Sequence, residues 1–377
     1  MEEVVARIGI VIYSLAGAGA ERVSINLAHE FAAAGHQVDF ILGQAGGELF
    51  DEVPVGASCI VASQPRAGGW RSAIRGYIDQ QSPDVLLAMM EGAGVLAIQA
   101  AKGRSVPVYV VSHVHFSRHC RQSPRIKERW LMPMAARWYL PRAAGVIGVS
   151  RGVASDIQHS AKLDPGRVHS VYNPILSNDF FLKASEPVEH PWFAPDRNWL
   201  NVITVGRLAA QKDHDTLLAA IAMVNQKQPV RLMVFGQGER RDELHALCAS
   251  LDIQAIVEFS GYDPNPYKFI AGADVFVLSS RWEGFGNVLV EALACGTHVI
   301  STDCPSGPSE VLDYGVYGVL VPVNDPVRLS NAIIESDRNL IRHANLDAHL
   351  EKFMTSSVAR QYLEVMGLDG GGDYARD

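Results

Sequence analysis

The 377-residue sequence predicts an α/β fold built from two successive, doubly wound parallel sheets. Short unbroken apolar runs of strand length alternate with segments of helical period. That alternation stops at a Pro-, Asn-, Ser- and Asp-rich stretch near the middle and then restarts. With 48% hydrophobic residues, the chain also exceeds the roughly 250–300 residues at which a single core stops growing.

The elements follow in order. Arg7–Tyr13 reads as a strand, Glu21–Ala34 as an amphipathic helix closed by Gly35, and Gln37–Leu42 as the next strand. Asp84–Met89, Val106–Val111 and Ala144–Val149 are further β-rich runs with helical stretches between them. Strands apolar on both faces belong to parallel sheets covered on both sides by helices. The stretch from Asn173 to Asp196 contains Pro174, Pro187, Pro191 and Pro195. It sets a linker at 176–198 between a first domain, 1–175, and a second, 199–350. Strands are then expected at Leu200–Val205, Val230–Phe235, Ile256–Ser260, Val275–Leu278, Val299–Thr302 and Gly318–Val321. Asp325–Gly367 is largely helical. Residues 351–377 are expected to return as a helix to the first domain and to end in a frayed tail from Gly370. Two such Rossmann-like domains facing each other would form a cleft at the carboxyl ends of their strands, where folds of this type bind ligands.

Composition narrows the function. Ordinary Gly and Pro usage excludes collagen-like and low-complexity classes, and no run approaches the ~18 apolar residues of a membrane span. Met1–Ala6 carries two acids and the apolar run Ile8–Leu15 is only strand-length, so no secretory leader is expected. Cys59, Cys120, Cys248, Cys295 and Cys304 form no CxxC pair; they read as small buried hydrophobes of a cytoplasmic protein. The net charge is −8, unevenly spread: 17 Lys+Arg against 14 Asp+Glu up to Ile175, then 16 against 27. Between Arg118 and Arg151, Arg118, Arg121, Arg125, Lys127, Arg129, Arg137, Arg142 and Arg151 face one acid, Glu128. This is a local anion-seeking face and not a nucleic-acid footprint. Its stretch Arg118–Arg142 interleaves cations with Trp130, Leu131, Met132, Met134, Trp138, Tyr139 and Leu140. Two readings stand: a surface resting on an anionic membrane, and an ordinary helix with one apolar face in the core.

The most informative segment is Trp282-Glu283-Gly284-Phe285-Gly286-Asn287-Val288-Leu289-Val290-Glu291, which follows a strand and opens a helix. Gly284 and Gly286 let the backbone approach a ligand, Asn287 is a suitable N-cap, and the first helical turn offers free N–H groups to a diphosphate. Glu283 and Glu291 flank that helix start with acceptors for sugar or ribose hydroxyls. Read singly, Glu291 is a solvated helix acid and Glu283 a turn residue; the pairing favours the ligand.

This Glu-x7-Glu array with its internal Gly-Phe-Gly-Asn resembles the donor site of retaining glycosyltransferases of the GT-B fold, specifically family 4. Further segments are similar to that family in the same order. Ala16-Gly17-Ala18-Gly19-Ala20-Glu21-Arg22 resembles its Gly-Gly-x-Glu-Arg loop, and Gly206-Arg207 through Lys212 its Gly-Arg-x4-Lys segment. Phe235-Gly236-Gln237-Gly238-Glu239 resembles its Gly-x-Gly-x-Glu turn, and Asp303-Cys304-Pro305-Ser306-Gly307-Pro308-Ser309-Glu310 a run of bacterial polysaccharide transferases. The resemblance implies transfer of a sugar from a nucleotide-diphosphate sugar, with UDP-hexose or UDP-N-acetylhexosamine the commoner donors. Retention of configuration, no catalytic metal and no cofactor are implied with it. The acceptor would be a glycan or lipid-linked glycan of bacterial surface polysaccharide, met in the cytoplasm or at the inner face of the cytoplasmic membrane.

Site roles follow by resemblance. Arg207 and Lys212, just past a strand end, would stabilise the departing diphosphate, and Glu283 would hold sugar hydroxyls. His113 would face the reacting carbon. Gly17, Gly19, Gly206, Gly236, Gly284, Phe285, Gly286, Asn287, Val288 and Glu291 would contact the donor, and Tyr262 its nucleobase. Alternatives stay open for several of these: a surface ion pair for Arg207, a tight strand-to-helix turn for Gly17 and Gly19, plain packing for Tyr262. A zinc site of His113, His115 and His119 is a weaker reading, although His113 and His115 would share a strand face. Asp213-His214-Asp215 superficially offers a metal-binding Asp-x-Asp but sits where a helix begins, so capping accounts for it.

Three rivals come from other classes. A nicotinamide-dependent oxidoreductase would use Gly17-Ala18-Gly19, but Arg22 replaces the third glycine of its fingerprint and Asp39 falls inside its strand. A solute-binding protein would need export. A nucleotide-sugar epimerase shares the architecture without the Glu-x7-Glu array.

Overall fold

The computed structural model describes residues 5–17, 19–123, 125, 127–336 and 345–369, with the backbone alone at 127 and 128. Ala18 and the tail from Gly370 lie outside the described residues. The chain forms two compact units, one running to Ile175 and resuming at Lys352, the other spanning Leu176–Glu351.

The first unit carries seven parallel strands: β1 (Arg7–Ile12), β2 (Gln37–Leu42), β3 (Ser58–Val61), β4 (Val85–Met89), β5 (Val108–Ser112), β6 (Gly145–Gly148) and β7 (Val168–Ser170). Their order is β3-β2-β1-β4-β5-β6-β7, so β1 is flanked by β2 and β4 and the winding reverses between β1 and β4. Ile10 pairs with Phe40 on one side and Leu87 on the other. Ile8, Ile10 and Val11 are wholly buried, as expected of a central strand covered on both faces. An acid interrupts the apolar run of β2. Asp39 is buried within β2, where it accepts from the Tyr77 hydroxyl (3.0 Å) and from the Ser58 amide (3.2 Å), with Arg7 3.8 Å away.

The second unit repeats the plan with six parallel strands: β8 (Leu200–Val205), β9 (Val230–Phe235), β10 (Val257–Gly261), β11 (Val275–Leu278), β12 (His298–Thr302) and β13 (Val319–Val321). The order β10-β9-β8-β11-β12-β13 places its reversal between β8 and β11. Apolar residues of β8, β9 and β11 pack with the helices His214–Asn225 and Pro326–Ile334 into one core.

The structure departs from the sequence reading at several points. β3 and β7 escape it because they are edge strands of four and three residues without a continuous apolar run. Within the Pro-rich stretch expected as a linker, Asn178–Ala184 is a helix whose Ser177 Oγ accepts from the Phe180 amide (3.2 Å). Phe180 buries its ring against Tyr267 (4.7 Å), and the Asn265 side chain donates to the Lys183 carbonyl (2.9 Å), so this segment belongs to the second unit. At the other end, helix Thr355–Met366 lies in the first unit, where Thr355 Oγ1 bonds Glu30 and the Ile175 amide donates to the Phe353 carbonyl. Cys59 and Cys295 are only half-buried, whereas the other three cysteines are buried as expected. Among the described residues no helix is long and apolar enough to cross a membrane.

Two glycines at strand ends test the packing. Gly236 has φ +133°, and a Cβ there would lie 2.0 Å from the Gly206 carbonyl oxygen, a backbone atom that cannot yield. Gly261 has φ +77° but open space around it. Gly236→Ala is expected to destabilise the second unit by at least about 2 kcal/mol, against about 1 kcal/mol for Gly261→Ala. Urea unfolding of the two variants checks the difference.

Candidate active site

The chemistry-bearing side chains of the second unit gather where its strands end. In an open parallel sheet the loops on either side of the order reversal splay apart and leave a crevice. Here those are the loops after β8 (residues 206–213) and β11 (residues 279–286). The Gly206 amide donates to the Phe235 carbonyl (2.9 Å), the Leu208 amide to Gln237 (2.9 Å), and the Gly236 amide to Gly261 (2.6 Å). The ends of β8, β9 and β10 are thereby joined.

A second set of bonds stitches the β8 loop to the β11 loop. The one-turn helix Ala210–Lys212 is followed by Asp213 in the left-handed region (φ 50°), which turns the chain into the helix His214–Asn225. Lys212 Nζ lies 2.6 Å from Glu283 Oε1, and Ser280 Oγ donates to the same oxygen (2.6 Å). Ser279 Oγ donates to the Lys212 carbonyl (2.8 Å), the Arg281 amide to the Gln211 carbonyl (2.8 Å) and Gln211 Nε2 to the Trp282 carbonyl (2.8 Å). Thr302 Oγ1, at the end of β12, donates to the Ser280 carbonyl (2.6 Å). Glu283 is 6% exposed. Burial, with the Glu283 charge adding to it, pushes the nearby Cys304 thiol up to about 12 and keeps it protonated.

The helix expected after Glu283 runs Asn287–Ala294, with a difference at its start. Gly286, at φ +88°, occupies the N-cap, and Asn287 is the first helical residue, not the cap. The left-handed turn needs a residue without Cβ, and that moves the boundary back by one. Asn287 and Glu291 lie four apart on one half-buried face, Val288 is half-buried beside them, and Leu289 and Val290 enter the core. Phe285 is buried; its carbonyl oxygen lies 2.0 Å from where a Cβ on Gly307 would stand, so Gly307 allows the loops after β11 and β12 to pack. Gly284 is buried, Arg207 is exposed, and Tyr262 is exposed just past β10.

The Asp-x-Asp segment resolves differently from a cap through its side chain. Asp213 stands at the N-cap position, but its carboxylate binds Arg281 (2.8 Å) and the Thr216 hydroxyl (2.8 Å). Asp215 is held by both Nη atoms of Arg240 (2.6 and 3.1 Å), which keeps its carboxyl below the usual range. His214 between them is buried, and desolvation followed by the Lys212 charge lowers its pKa to about 4.

In the first unit, Gly17 adopts φ +94° and Gly19 is the first residue of helix Gly19–Ala33. His113 directly follows β5. Its Nε2 is shut off from solvent without a hydrogen-bond partner among the described residues, although the residue as a whole is half-buried. Desolvation lowers its pKa to about 4, so the ring is neutral near pH 7. His113 and His115 do not share a strand face, because β5 ends at Ser112 and His115 caps helix Phe116–Gln122 and pairs with Asp156 (3.1 Å). Among the described residues no three His, Cys, Asp or Glu side chains gather as a metal would require. Asp39, locked under Tyr77, is unavailable to a ribose, and Arg22 is paired with Glu52; the dinucleotide reading loses its acid.

Sequence reasoning missed several residues that shape these sites. Ser280, Gln211 and Arg281 are polar loop residues with no distinguishing spacing. Glu91 opens helix Glu91–Ala100, is buried and accepts from Ser112 Oγ; burial raises its carboxyl pKa. It lines a cavity of about 240 Å³ at the ends of β1 and β4 with Tyr13, Glu21, Trp70, Met90 and Met132. The available signal was an acid breaking the apolar run from Val85 to Ile98.

Residues 194–348 match the family model for glycosyl transferases group 1, and residues 17–176 that for glycosyltransferase family 4. Over 185 residues the chain is 34% identical to the Campylobacter jejuni N-acetylgalactosamine-N,N'-diacetylbacillosaminyl-diphospho-undecaprenol 4-alpha-N-acetylgalactosaminyltransferase, covering 49% of this chain and 48% of that one. The Rhizobium meliloti lipopolysaccharide core biosynthesis glycosyltransferase LpsE is 33% identical over 44% of this chain and 49% of its own. The chain thus spans about half the length of each of these two relatives. With the Escherichia coli lipopolysaccharide 1,6-galactosyltransferase it shares 26% identity over 75% of this chain and 74% of that one. Among solved structures, Anabaena HepE in complex with UDP and glucose superposes with a TM-score of 0.76 at 20% identity, covering 96% of this chain and 99% of that one. A glycosyltransferase from Rickettsia africae gives 0.78 at 17%, covering 98% and 100%.

Two outcomes follow from the geometry. Lys212→Ala leaves a buried carboxylate without its cation and is expected to cost about 2–4 kcal/mol in urea unfolding, recovered in part by adding Glu283→Gln. Because the folded pKa of His214 is about 4 against an ordinary 6.5, the unfolded chain takes up the proton first. Stability is therefore full above about pH 6.5 and is lost as pH falls towards about 4. The loss from this residue is on the order of 3 kcal/mol. His214→Leu should flatten that part of the stability-against-pH curve.

Proposed function

The chain belongs to the glycosyltransferases, with a family 4 half followed by a group 1 half, and from that membership we propose that it moves a hexosyl unit from a UDP-sugar to a glycan or lipid-linked glycan. The observation that carries this is the Lys212–Glu283 pair (2.6 Å), set at the carboxyl end of the sheet beside a glycine-opened helix start. Glu283 Oε1 is taken by Lys212 and Ser280, which orients the carboxylate and leaves Oε2 to accept from hydroxyls of the donor sugar. Lys212 and the exposed Arg207 supply positive charge where the diphosphate departs, and the first-turn N–H groups of Asn287–Ala294 add to it. Glu291, on the same helix face as Asn287, suits the ribose hydroxyls.

The reaction is proposed to retain anomeric configuration. The bond from the anomeric carbon to the diphosphate oxygen breaks, and the acceptor oxygen forms its bond on the same face. The leaving oxygen keeps the electron pair and takes the acceptor's proton. A double displacement would need a carboxylate nucleophile at the reacting carbon, and Glu283 is already committed to Lys212 and Ser280. The His113 ring, neutral near pH 7, is able to hydrogen-bond a hydroxyl without adding positive charge beside a carbon that becomes cationic. No metal is assigned to the reaction, because Asp213 and Asp215 are spent on Arg281 and Arg240.

We propose further that the acceptor belongs to bacterial surface polysaccharide synthesis and that the enzyme works at the inner face of the cytoplasmic membrane. The Campylobacter relative's name specifies a diphospho-undecaprenol acceptor, and the Escherichia coli relative's a lipopolysaccharide.

A donor panel of UDP-glucose, UDP-galactose, their N-acetylamino counterparts and GDP-mannose, with mass detection of nucleotide and product, tests the reading. Release from a UDP-sugar, unaffected by EDTA and giving a product whose anomeric coupling matches the donor, is expected. Turnover of GDP-mannose alone, an inverted product or loss of activity in EDTA overturns the corresponding part. Arg207→Ala should lower kcat by about 100-fold or more with an unchanged unfolding midpoint, since the side chain is exposed.

A further inference from the structure

The segment Lys127–Tyr139 is apolar on two sides. It begins as a π-helical turn, Lys127–Leu131, and continues as the α-helix Met132–Tyr139. Ala136 is wholly buried, and Met132 and Tyr139 pack against the first-unit core. That accounts for one of the two readings the sequence left open. The opposite side carries Trp130, Leu131, Met134 and Trp138 at 66%, 56%, 67% and 64% exposure. Trp130, Met134 and Trp138 are spaced four apart, in one stripe. A single exposed apolar residue is ordinary, but four large ones in nine residues are not.

Cations surround the stripe. Arg121, Arg129, Arg137 and Arg142 are exposed along the same stretch, and the Arg142 guanidinium lies 4.9 Å over the Trp138 ring. Beside it opens a basin of about 870 Å³ at the amino ends of β5 and β6, lined by Arg71, Lys102, Arg104, Arg142 and Arg167 with Trp138. No carboxylate is among its described lining residues. Arg104 is bonded to Asp79 and Arg167 to the carbonyls of Pro141 and Ala143. Lys102 and Arg142 form no ion pair among the described residues. In a chain of net charge −8, this concentration of positive charge is local.

We propose that this face docks the first unit on an anionic phospholipid bilayer, with Trp130, Met134 and Trp138 entering the headgroup layer and the basin receiving lipid phosphates through Lys102 and Arg142. Aromatics beside arginines suit the boundary between headgroups and acyl chains, where one side of the ring is dry and the cations meet phosphate. A second copy of this chain fits less well, since a two-fold contact would bring the same cations face to face. The proposal deepens the membrane placement given above and rests on it.

Co-sedimentation of the full chain with vesicles of phosphatidylcholine, alone or mixed with phosphatidylglycerol, tests both. Expected is binding to the mixed vesicles that weakens with added salt, and little to the neutral ones. Trp130→Ser/Met134→Ser/Trp138→Ser and Lys102→Glu/Arg142→Glu should each lower the vesicle partition coefficient about tenfold with unchanged circular dichroism. No binding by the unmodified chain at low salt overturns the membrane placement and this surface together. Binding that both variants retain overturns the surface alone. Self-association in sedimentation velocity that the triple variant abolishes, with vesicle binding unchanged, assigns the stripe to a second copy and overturns the proposal.

Discussion

A lysine and a glutamate 71 positions apart in the chain hold the second unit's candidate site in shape. Lys212 and Glu283 meet because the sheet reverses its winding between β8 and β11, which brings their two loops side by side. Taking both charges out of water is costly, and a lone ion pair seldom offsets that cost. Here the surroundings do more: Ser280 bonds the same carboxylate oxygen, Ser279 holds the lysine's own carbonyl, and Thr302 fixes the backbone that carries Ser280. The result is a carboxylate whose direction is set before any ligand arrives. Orientation, more than net stability, is what such an arrangement provides.

The same pair recasts the role of Lys212. Read from the sequence alone, it is a cation waiting for a diphosphate. In the folded unit it neutralises Glu283, so its positive charge is already shared. Arg207, one residue past Gly206, is exposed and forms no ion pair among the described residues. The two cations of one short motif thus differ in setting: one is built into the site, the other is open to solvent.

Much of this was legible in the sequence where one physical rule acted alone. β2, β8, β9 and β11 fall within the bounds read from their β-rich, largely apolar runs, because a strand covered on both faces is selected for apolar residues even where single polar ones such as Asp39 and Asn201 intrude. Edge strands β3 and β7 obey no such rule and left no trace. The helix at Asn178–Ala184 hid behind flanking prolines, since composition reports the average of a stretch and not the seven residues within it. At the site, the glycines and acids of residues 283–291 stood out, whereas the bonds that join residues 280–283 to Gln211, Lys212 and Thr302 depend on strand order. Asn287 was misplaced by one because a glycine in a left-handed turn outcompetes an asparagine side chain for the cap.

The placement of helix Thr355–Met366 in the first unit bears on how the protein is made. That unit is interrupted after Ile175 and finished only by residues from Lys352 onward, whereas everything belonging to the second lies between them. On the ribosome, the later unit is therefore complete first. The earlier one waits with the side of helix Gly19–Ala33 that meets helix Thr355–Met366 uncovered until those residues emerge. During that interval the first-unit surface that will meet Tyr362 and Val358, both wholly buried in the finished fold, faces solvent.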